Sequence, residues 1–210
     1  MKRVCLISLP WQEAAKPSPA VGALAAFLKQ NNQPIRVDCR NDHFRIARRV
    51  GPLWYGILTS GPLMKYSELL AFPGLYPEKA ESCVNQVARA VESQLAEQGV
   101  SGDGLQLEAD RQIKDMTPEE LARAHELLPT QAFDPGSATG LLEIITMTIG
   151  LVMARMDVYL ENTTMEIAGK YHLVGLTTSY NQLPASLSFC KKLKRISPQT
   201  LRDCLFRQFL

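Results

Sequence analysis

Hydrophobic and polar residues follow two different periods along this chain, and the first forty residues show both. The segment RVCLISLP at 3–10 is an almost continuous apolar run, as in a strand covered by helices on both faces of a sheet. A second strand is predicted for IRVDCR at 35–40. Between them, four apolar residues recur at the spacing of one buried helix stripe: Val21, Leu24, Ala25 and Leu28. A crossover of this length requires parallel pairing, so the chain is predicted to begin with a βαβ unit.

A helical pattern replaces this alternation over about residues 42–170. The segment 72–98 is predicted to hold a helix with one apolar side, formed by Val84, Val87, Ala88, Val91 and Leu95. TPEELARAHELL at 117–128 predicts another helix, because it opens with a capping box in which Thr117 is the N-cap and Glu120 reaches back to it.

The rest of the helical region is predicted to contain a turn and two further helices. VSGDG at 100–104 is typical of a turn or flexible connection. A long apolar helix is expected near 139–156 and a shorter one near 157–170. The α/β pattern returns with a third strand, HLVGLTTS at 172–179, and a helix at 184–195. The chain is therefore predicted to be an α/β protein whose parallel sheet is interrupted by a large helical insertion between strands 2 and 3.

Ligands of open α/β sheets bind outside the carboxyl ends of the strands. Here those ends are predicted to be SLPW at 8–11, RND at 40–42 and TTSYNQ at 177–182. They carry hydroxyl groups, an indole and side-chain amides, with few charges. Such an edge suits a large, polar, weakly charged ligand better than a triphosphate.

Composition and charge exclude several classes of protein. The net charge is +2, with 46% hydrophobic and 21% charged residues, which argues against a dedicated nucleic-acid binder. The five scattered cysteines favour free thiols in a reducing, cytoplasmic compartment: Cys5, Cys39, Cys83, Cys190 and Cys204. The apolar run at 140–160 contains Glu143, Arg155 and Asp157, so a buried helix is expected there and no membrane span.

The motifs of the commonest enzymes are missing from the sequence. Neither GxxxxGK[ST] nor GxGxxG is present, and no GxSxG elbow supports a serine hydrolase. The histidines are isolated and form no metal-binding spacing: His43, His125 and His172. Catalysis by this chain alone is therefore not indicated.

Several segments together resemble a known family. They are VGLTTSYNQLPASLSFCKKLKRISPQT, with YLENTTMEIAGKYHLVGLTTS upstream of it, LISLPWQEAAKPSPAVGALAAFLKQNN at the beginning, LWYGI at 53–57 and LLAFPGLYP at 69–77. In this order they resemble the cobalamin-binding region of radical SAM enzymes, specifically those that modify ribosomally made peptides. The resemblance covers about residues 2–200.

The resemblance implies a Rossmann-like, flavodoxin-like cobalamin-binding domain over 1–200, with its helical insertion at about 42–170. In that family a radical SAM domain with a CxxxCxxC cluster motif follows, and several members methylate carbons of a precursor peptide. CxxxCxxC is absent here, so no iron–sulfur cluster and no radical chemistry are expected of this chain. The DxHxxG motif that supplies a cobalt-ligating histidine elsewhere is absent as well.

The resemblance also implies which residues would contact cobalamin. The loop after the first strand, residues 9–19, would face the corrin. The residues named as contacts are Ser8, Leu9, Pro10, Trp11 and Pro19 in and around this loop, and Thr177, Thr178, Ser179, Asn181 and Gln182 after the third strand. Trp11 would lie against the lower face of the corrin, or else pack as a loop aromatic on the insertion. The hydroxyl and amide residues after the third strand would bind corrin amides or form the turn and N-cap before Pro184.

Three interpretations of function stay open at this point. The chain is a cobalamin-binding fragment of a peptide-maturing radical SAM enzyme, a free-standing module that partners a separate radical SAM subunit, or a degenerate domain that only contacts the precursor peptide or another protein. The parallel sheet is expected to be incomplete, leaving the third strand and the apolar side of the 184–195 helix exposed, so that the chain associates. The last ten residues, 201–210, are expected to be an aberrant, out-of-frame tail, or otherwise a short native helix.

Overall fold

The computed structural model describes residues 1–30, 34–99, 102–134, 136, 138, 140–178 and 180–198. The strands are β1 Lys2–Ser8, β2 Ile35–Asn41 and β3 Leu173–Thr177. The α-helices are α1 Pro19–Gln30, α2 Asp42–Val50, α3 Pro52–Thr59, α4 Met64–Ser67, α5 Ala80–Glu97, α6 Gly102–Lys114, α7 Pro118–Leu127, α8 Leu141–Ile167 and α9 Leu183–Ile196. Short 3-10 turns join them at Gly61–Leu63, Glu68–Gly74, Pro77–Lys79 and Tyr180–Gln182. The predicted tail at 201–210 lies outside the described residues.

The three strands form one open parallel sheet in the order β2-β1-β3. β1 is central, and its last residue, Ser8, lies opposite Asn41 of β2 and Thr177 of β3. The predicted α/β architecture, with three parallel strands and a helical insertion between the second and third, is confirmed and is consistent with a Rossmann-like fold.

The two faces of the sheet are covered very differently. α1 packs on one face over a small cluster formed by Val4, Leu6, Val21 and Ala25. On the other face Cys5 and Ile7 are fully buried and join the main hydrophobic core, to which α8 contributes most of its length. The predicted α1 stripe is confirmed, since Leu24 and Leu28 also pack against this smaller cluster.

α8 is a single helix of 27 residues, so the prediction of two helices divided near residue 157 is wrong. Arg155 is 1% exposed and Asp157 is 6% exposed, and both have partners on other helices. Charged residues that are paired inside the protein do not end a helix, and this is why the helix continues through them. Among the described helices, none is both long enough and apolar enough to cross a membrane.

The helices before α8 include one that the sequence did not predict. α6 begins at Gly102, inside the segment expected to be a turn, and its residues Leu105 and Ala109 are buried in the main core. The predicted stripe of α5 is confirmed. So is the capping box of α7, in which Glu120 N donates to Thr117 Oγ1 at 3.2 Å and Thr117 N donates to Glu120 Oε2 at 2.9 Å.

α9 packs on the helical layer, against α8 and the 3-10 turn Glu68–Gly74. Its residues Ala185, Phe189 and Leu193 are fully buried, whereas Leu183, Leu187 and Ile196 are exposed, so the expectation that its apolar side faces water holds only for part of this helix. Gly74 permits the close approach, because a Cβ there would lie 2.0 Å from the Ser188 hydroxyl oxygen. β3 pairs only with β1 and is an edge strand within the described residues.

Candidate functional site

The carboxyl ends of all three strands meet at one edge of the sheet, as parallel strands must. β2 and β3 lie on opposite sides of β1, so the chain leaves this edge in two directions. Such a point, where the strand order reverses, is where open α/β sheets form a crevice for ligands. The sequence predicted this edge correctly as the place where polar residues collect.

A cluster of hydroxyl and amide groups joins the ends of β1 and β3. Gln182 Nε2 donates to Ser8 Oγ at 3.3 Å and also to the main-chain oxygen of Leu9. Thr177 Oγ1 donates to Gln182 Oε1 at 3.3 Å. Ser8 and Gln182 have no exposed surface. These neutral groups satisfy one another, so the edge is held rigid without a charge.

Gln12 extends this cluster toward the solvent. Ser8 Oγ donates to Gln12 Oε1 at 2.7 Å. Gln12 is only partly buried, and within the described residues its amide nitrogen has no protein partner. Gln12 was not among the predicted contact residues, although it directly follows Trp11 in the loop. It is the partly exposed member of an otherwise buried network.

Tyr55 of α3 fixes the main chain of Gln12. Tyr55 OH donates to the main-chain oxygen of Gln12 at 2.8 Å and accepts from its nitrogen at 3.2 Å. Burial raises the pKa of Tyr55, so the phenol stays neutral and can donate. Tyr55 was also missed from the sequence, since a residue 43 positions away gives no local signal of this contact.

Trp11 packs on the insertion, which is the second of the two roles considered for it. Its ring centroid lies 5.3 Å from that of Tyr55, and the side chain is 2% exposed. Its indole nitrogen is buried and has no hydrogen-bond partner within the described part of the chain. A buried N–H group without an acceptor is rare, and the indole nitrogen of Trp54 in α3 is a second one in this part of the protein.

The exposed part of the first loop, residues 13–17, is tied down over β2. Ser18 N donates to Asn41 Oδ1 at 3.0 Å. His43 Nε2 donates to the main-chain oxygen of Lys16 at 3.1 Å, and the imidazole is fully buried. His43 thus holds the loop in place.

The residues predicted to contact cobalamin divide into three groups by exposure. The buried ones are Ser8, Leu9, Pro10, Trp11, Thr177 and Gln182. Thr178 and Asn181 are half-buried, and Pro19 is exposed at the beginning of α1. Ser179 lies outside the described residues. The structure therefore joins Ser8, Leu9, Thr177 and Gln182 in one cluster and leaves the half-buried residues at its surface.

The charged residues at the end of β2 are paired inside the protein. Arg40 Nε donates to Asp42 Oδ1 at 3.1 Å, and Arg40 also pairs with Glu166 of α8 at 2.9 Å. Burial opposes the charged form of Arg40, but the hydrogen bond to Asp42 leads the interactions that raise its pKa. The edge available to a ligand is therefore weakly charged.

No group of three or more His, Cys, Asp or Glu side chains in the described ranges could hold a metal ion. Cys5 of β1 is buried in the main core, and burial raises its pKa to about 12, so the thiol is unreactive at neutral pH.

Comparisons of the chain with protein-family models, with curated proteins and with solved structures find no match.

Proposed function

We propose that this chain is the cobalamin-binding domain of a radical SAM enzyme that modifies a ribosomally made peptide. The observation that carries the proposal is the neutral cluster of hydroxyl and amide groups at the point where the strand order reverses. A corrin ring is large, weakly charged and rimmed by amide side chains, so its recognition needs neutral donors and acceptors. The strand order β2-β1-β3 is also that of the first three strands of a flavodoxin-like sheet, whose ligand binds between β1 and β3.

The residues at this edge would act in two ways. Gln12, Thr178 and Asn181 reach the surface and would hydrogen-bond the amides of the corrin. Ser8, Thr177 and Gln182 are buried and would position them. The buried indole nitrogen of Trp11 is a further donor that the protein itself leaves unused. These features fit a polar neutral cofactor.

Bound cobalamin would supply a cobalt atom that carries a methyl group. The contribution of this chain is to bind and orient the cofactor and to exclude water from its buried side. The radical SAM machinery would belong to a partner, either another domain or a separate subunit, because no three cysteines of the sequence have the spacing of a cluster motif. The partner's substrate would be a precursor peptide.

Equilibrium dialysis against hydroxocobalamin, with the visible spectrum of the retained cofactor, tests the proposal. Two variants alter the outward groups: Gln12→Glu keeps the acceptor for Ser8 but removes the amide donor, and Asn181→Ala removes a half-buried amide. Each is expected to weaken binding about fivefold, the effect of one hydrogen bond. Gln98→Glu makes the same chemical change at an exposed site at the end of α5 and should bind as the unmodified protein does.

Folding of each variant is checked by far-ultraviolet circular dichroism. If the folded, unmodified protein retains no cobalamin, the proposal is wrong. If Gln12→Glu and Gln98→Glu lose the same amount of cobalamin affinity, the binding site does not lie at the carboxyl edge.

A further inference from the structure

A groove in the helical layer lies apart from the sheet edge. It has a volume of about 550 Å³ and runs between α5 and the first turns of α8, with residues 130–132 along one side. Its floor is apolar and formed by Val84, Ala138, Leu142 and Met147. Val84 and Met147 are almost fully buried, so the floor is part of the packed core. Ligand sites commonly have this size and an apolar lining with few polar groups.

The polar groups around this floor are acidic or neutral. Glu81 and Glu143 line the groove with Asn85 and the 130–131 segment, and no basic side chain is among its described lining residues. Glu81 Oε1 accepts a hydrogen bond from Thr130 at 3.2 Å, and Glu143 Oε2 accepts one from Gly140 N at 3.3 Å. A carboxylate has about four acceptor positions, so Glu81 can accept further donors. Glu81 has no ion-pair partner within the described residues.

A second depression continues the groove along α5. It has a volume of about 490 Å³ and shares Glu81 and Asn85 with the first. Glu78 and Arg89 also line it. The two together expose three carboxylates against one guanidinium group. An elongated groove of this kind suits an extended chain better than a compact small molecule.

We propose that this groove binds an extended peptide through a lysine or arginine side chain. The methylene stem of such a side chain would lie on the apolar floor, and its cationic end would reach Glu81 and Glu143. Long basic side chains combine these two properties and commonly bury their stems while the charge stays at a polar rim. The site is separate from the carboxyl edge, and its peptide ligand does not depend on whether a cofactor binds there.

Fluorescence anisotropy with short labelled peptides tests this in the absence of cobalamin. One peptide carries a single lysine, and in its control norleucine replaces that lysine, which keeps most of the apolar stem but removes the charge. The lysine peptide is expected to bind about fivefold more tightly at low salt, the upper effect of an exposed ion pair, and the difference should shrink as salt is added. Equal binding of the two peptides, or no binding of either at millimolar concentration, would overturn the proposal.

Variants of the chain locate the contact. Glu81→Gln and Glu143→Gln keep their hydrogen-bond acceptors, and a glutamine at position 143 can still cap α8. Each should reduce the preference for lysine over norleucine about threefold. Glu97→Gln, at an exposed position near the end of α5, should leave it unchanged. Asn85→Trp places a bulky side chain at a residue shared by both depressions and should abolish binding of both peptides.

Two further results would contradict the peptide proposal. The same loss of preference in Glu97→Gln would show a diffuse charge effect rather than a site. In a competition experiment, butylammonium and the unlabelled peptide are each used to displace the labelled peptide. If both displace it at the same concentration, the groove binds a small cation and not a peptide. Neither result bears on cobalamin binding, so failure here and failure of the proposed function are distinguishable.

Discussion

Polar residues are buried in two regions of this protein, and the two regions use different chemistry. Where the ends of β1 and β3 meet, the buried groups are neutral hydroxyls and amides, centred on Ser8 and Gln182. In the helical layer they are ions: Arg155 pairs with Glu120, and Lys192 lies between Asp157 and Glu161. The first network ends in a partly exposed amide at Gln12, whereas the second reaches the surface only through further ion pairs, such as Arg195 with Glu161.

This difference separates a surface that can receive a ligand from contacts that hold helices together. A buried ion is costly unless it is paired, so ion pairs of the helical layer must stay closed in the folded protein. A neutral amide costs less to expose or to redirect toward a ligand. The edge of the sheet therefore combines rigidity with a group that faces outward.

The largest effect is expected from Arg155→Met. Arg155 donates to the side chain and the main-chain oxygen of Gln112 and to the main-chain oxygen of Arg49, and its Nε lies 3.8 Å from Glu120 Oε2. Removal of the guanidinium group leaves these buried acceptors without their donor. The free energy of unfolding should fall by about 3–5 kcal/mol, measured by urea denaturation.

The control variant is Arg48→Met, at an exposed position of α2, which should change the free energy of unfolding by less than about 0.5 kcal/mol. Equal stability of Arg155→Met and the unmodified protein would contradict the ionic half of the comparison.

A smaller, pH-dependent effect is expected from Lys192→Met. Lys192 Nζ lies 3.0 Å from both Asp157 Oδ1 and Glu161 Oε2. Burial opposes ionisation of Glu161, but the hydrogen bond from Lys192 and the charges of Arg195 and Arg123 hold its pKa below the ordinary 4.5. The lowered pKa means that this stabilisation is present above about pH 4.5 and is lost as the pH falls through the folded-state value.

The variant should therefore be about 2 kcal/mol less stable at neutral pH, since Arg123 still pairs with both carboxylates. The difference from the unmodified protein should shrink below about pH 4.5, followed by urea denaturation at several pH values. If the stability difference between the variant and the unmodified protein stays constant with pH, its pH-dependent part does not come from Glu161.

The smallest effect is expected at the neutral edge, from Tyr55→Phe. The phenylalanine keeps the ring packed on Trp11 but loses both hydrogen bonds to the main chain of Gln12. The free energy of unfolding should fall by about 1 kcal/mol and should not depend on pH over the range used for Lys192→Met. A loss that varies with pH would mean that a charged group takes part in this network and would weaken the comparison.

Local features of the fold were predictable because neighbouring residues alone produce them. The capping box of α7 depends on Thr117 and Glu120, which are three residues apart. The buried stripe of α5 and the apolar β1 follow from periodicity within one segment. The meeting of the strand ends also followed, since parallel pairing places all carboxyl ends at one edge.

The predicted helix boundaries were wrong at a turn-forming residue and at a charged residue, because contacts with distant segments outweighed the local preference there. Gly102 is typical of a turn, yet it begins α6, whose Leu105 and Ala109 are buried in the core. Asp157 suggested the end of a helix, but α8 continues because Lys192 and Arg123 neutralise the carboxylate. Tertiary packing in both cases supplied a stabilisation that local propensity does not contain.

The sequence by itself determined the parallel βαβ beginning, the helical insertion and a polar, weakly charged edge at the ends of the strands. Only the tertiary structure decided which of those polar groups are enclosed and which face outward. Gln182 contacts Leu9 across 173 positions, and Tyr55 contacts Gln12 across 43. A hydrogen bond between distant segments produces no periodic pattern in the sequence of either segment. The residue types do not indicate the contact either, because the same polar side chains also occur at the surface in contact with solvent.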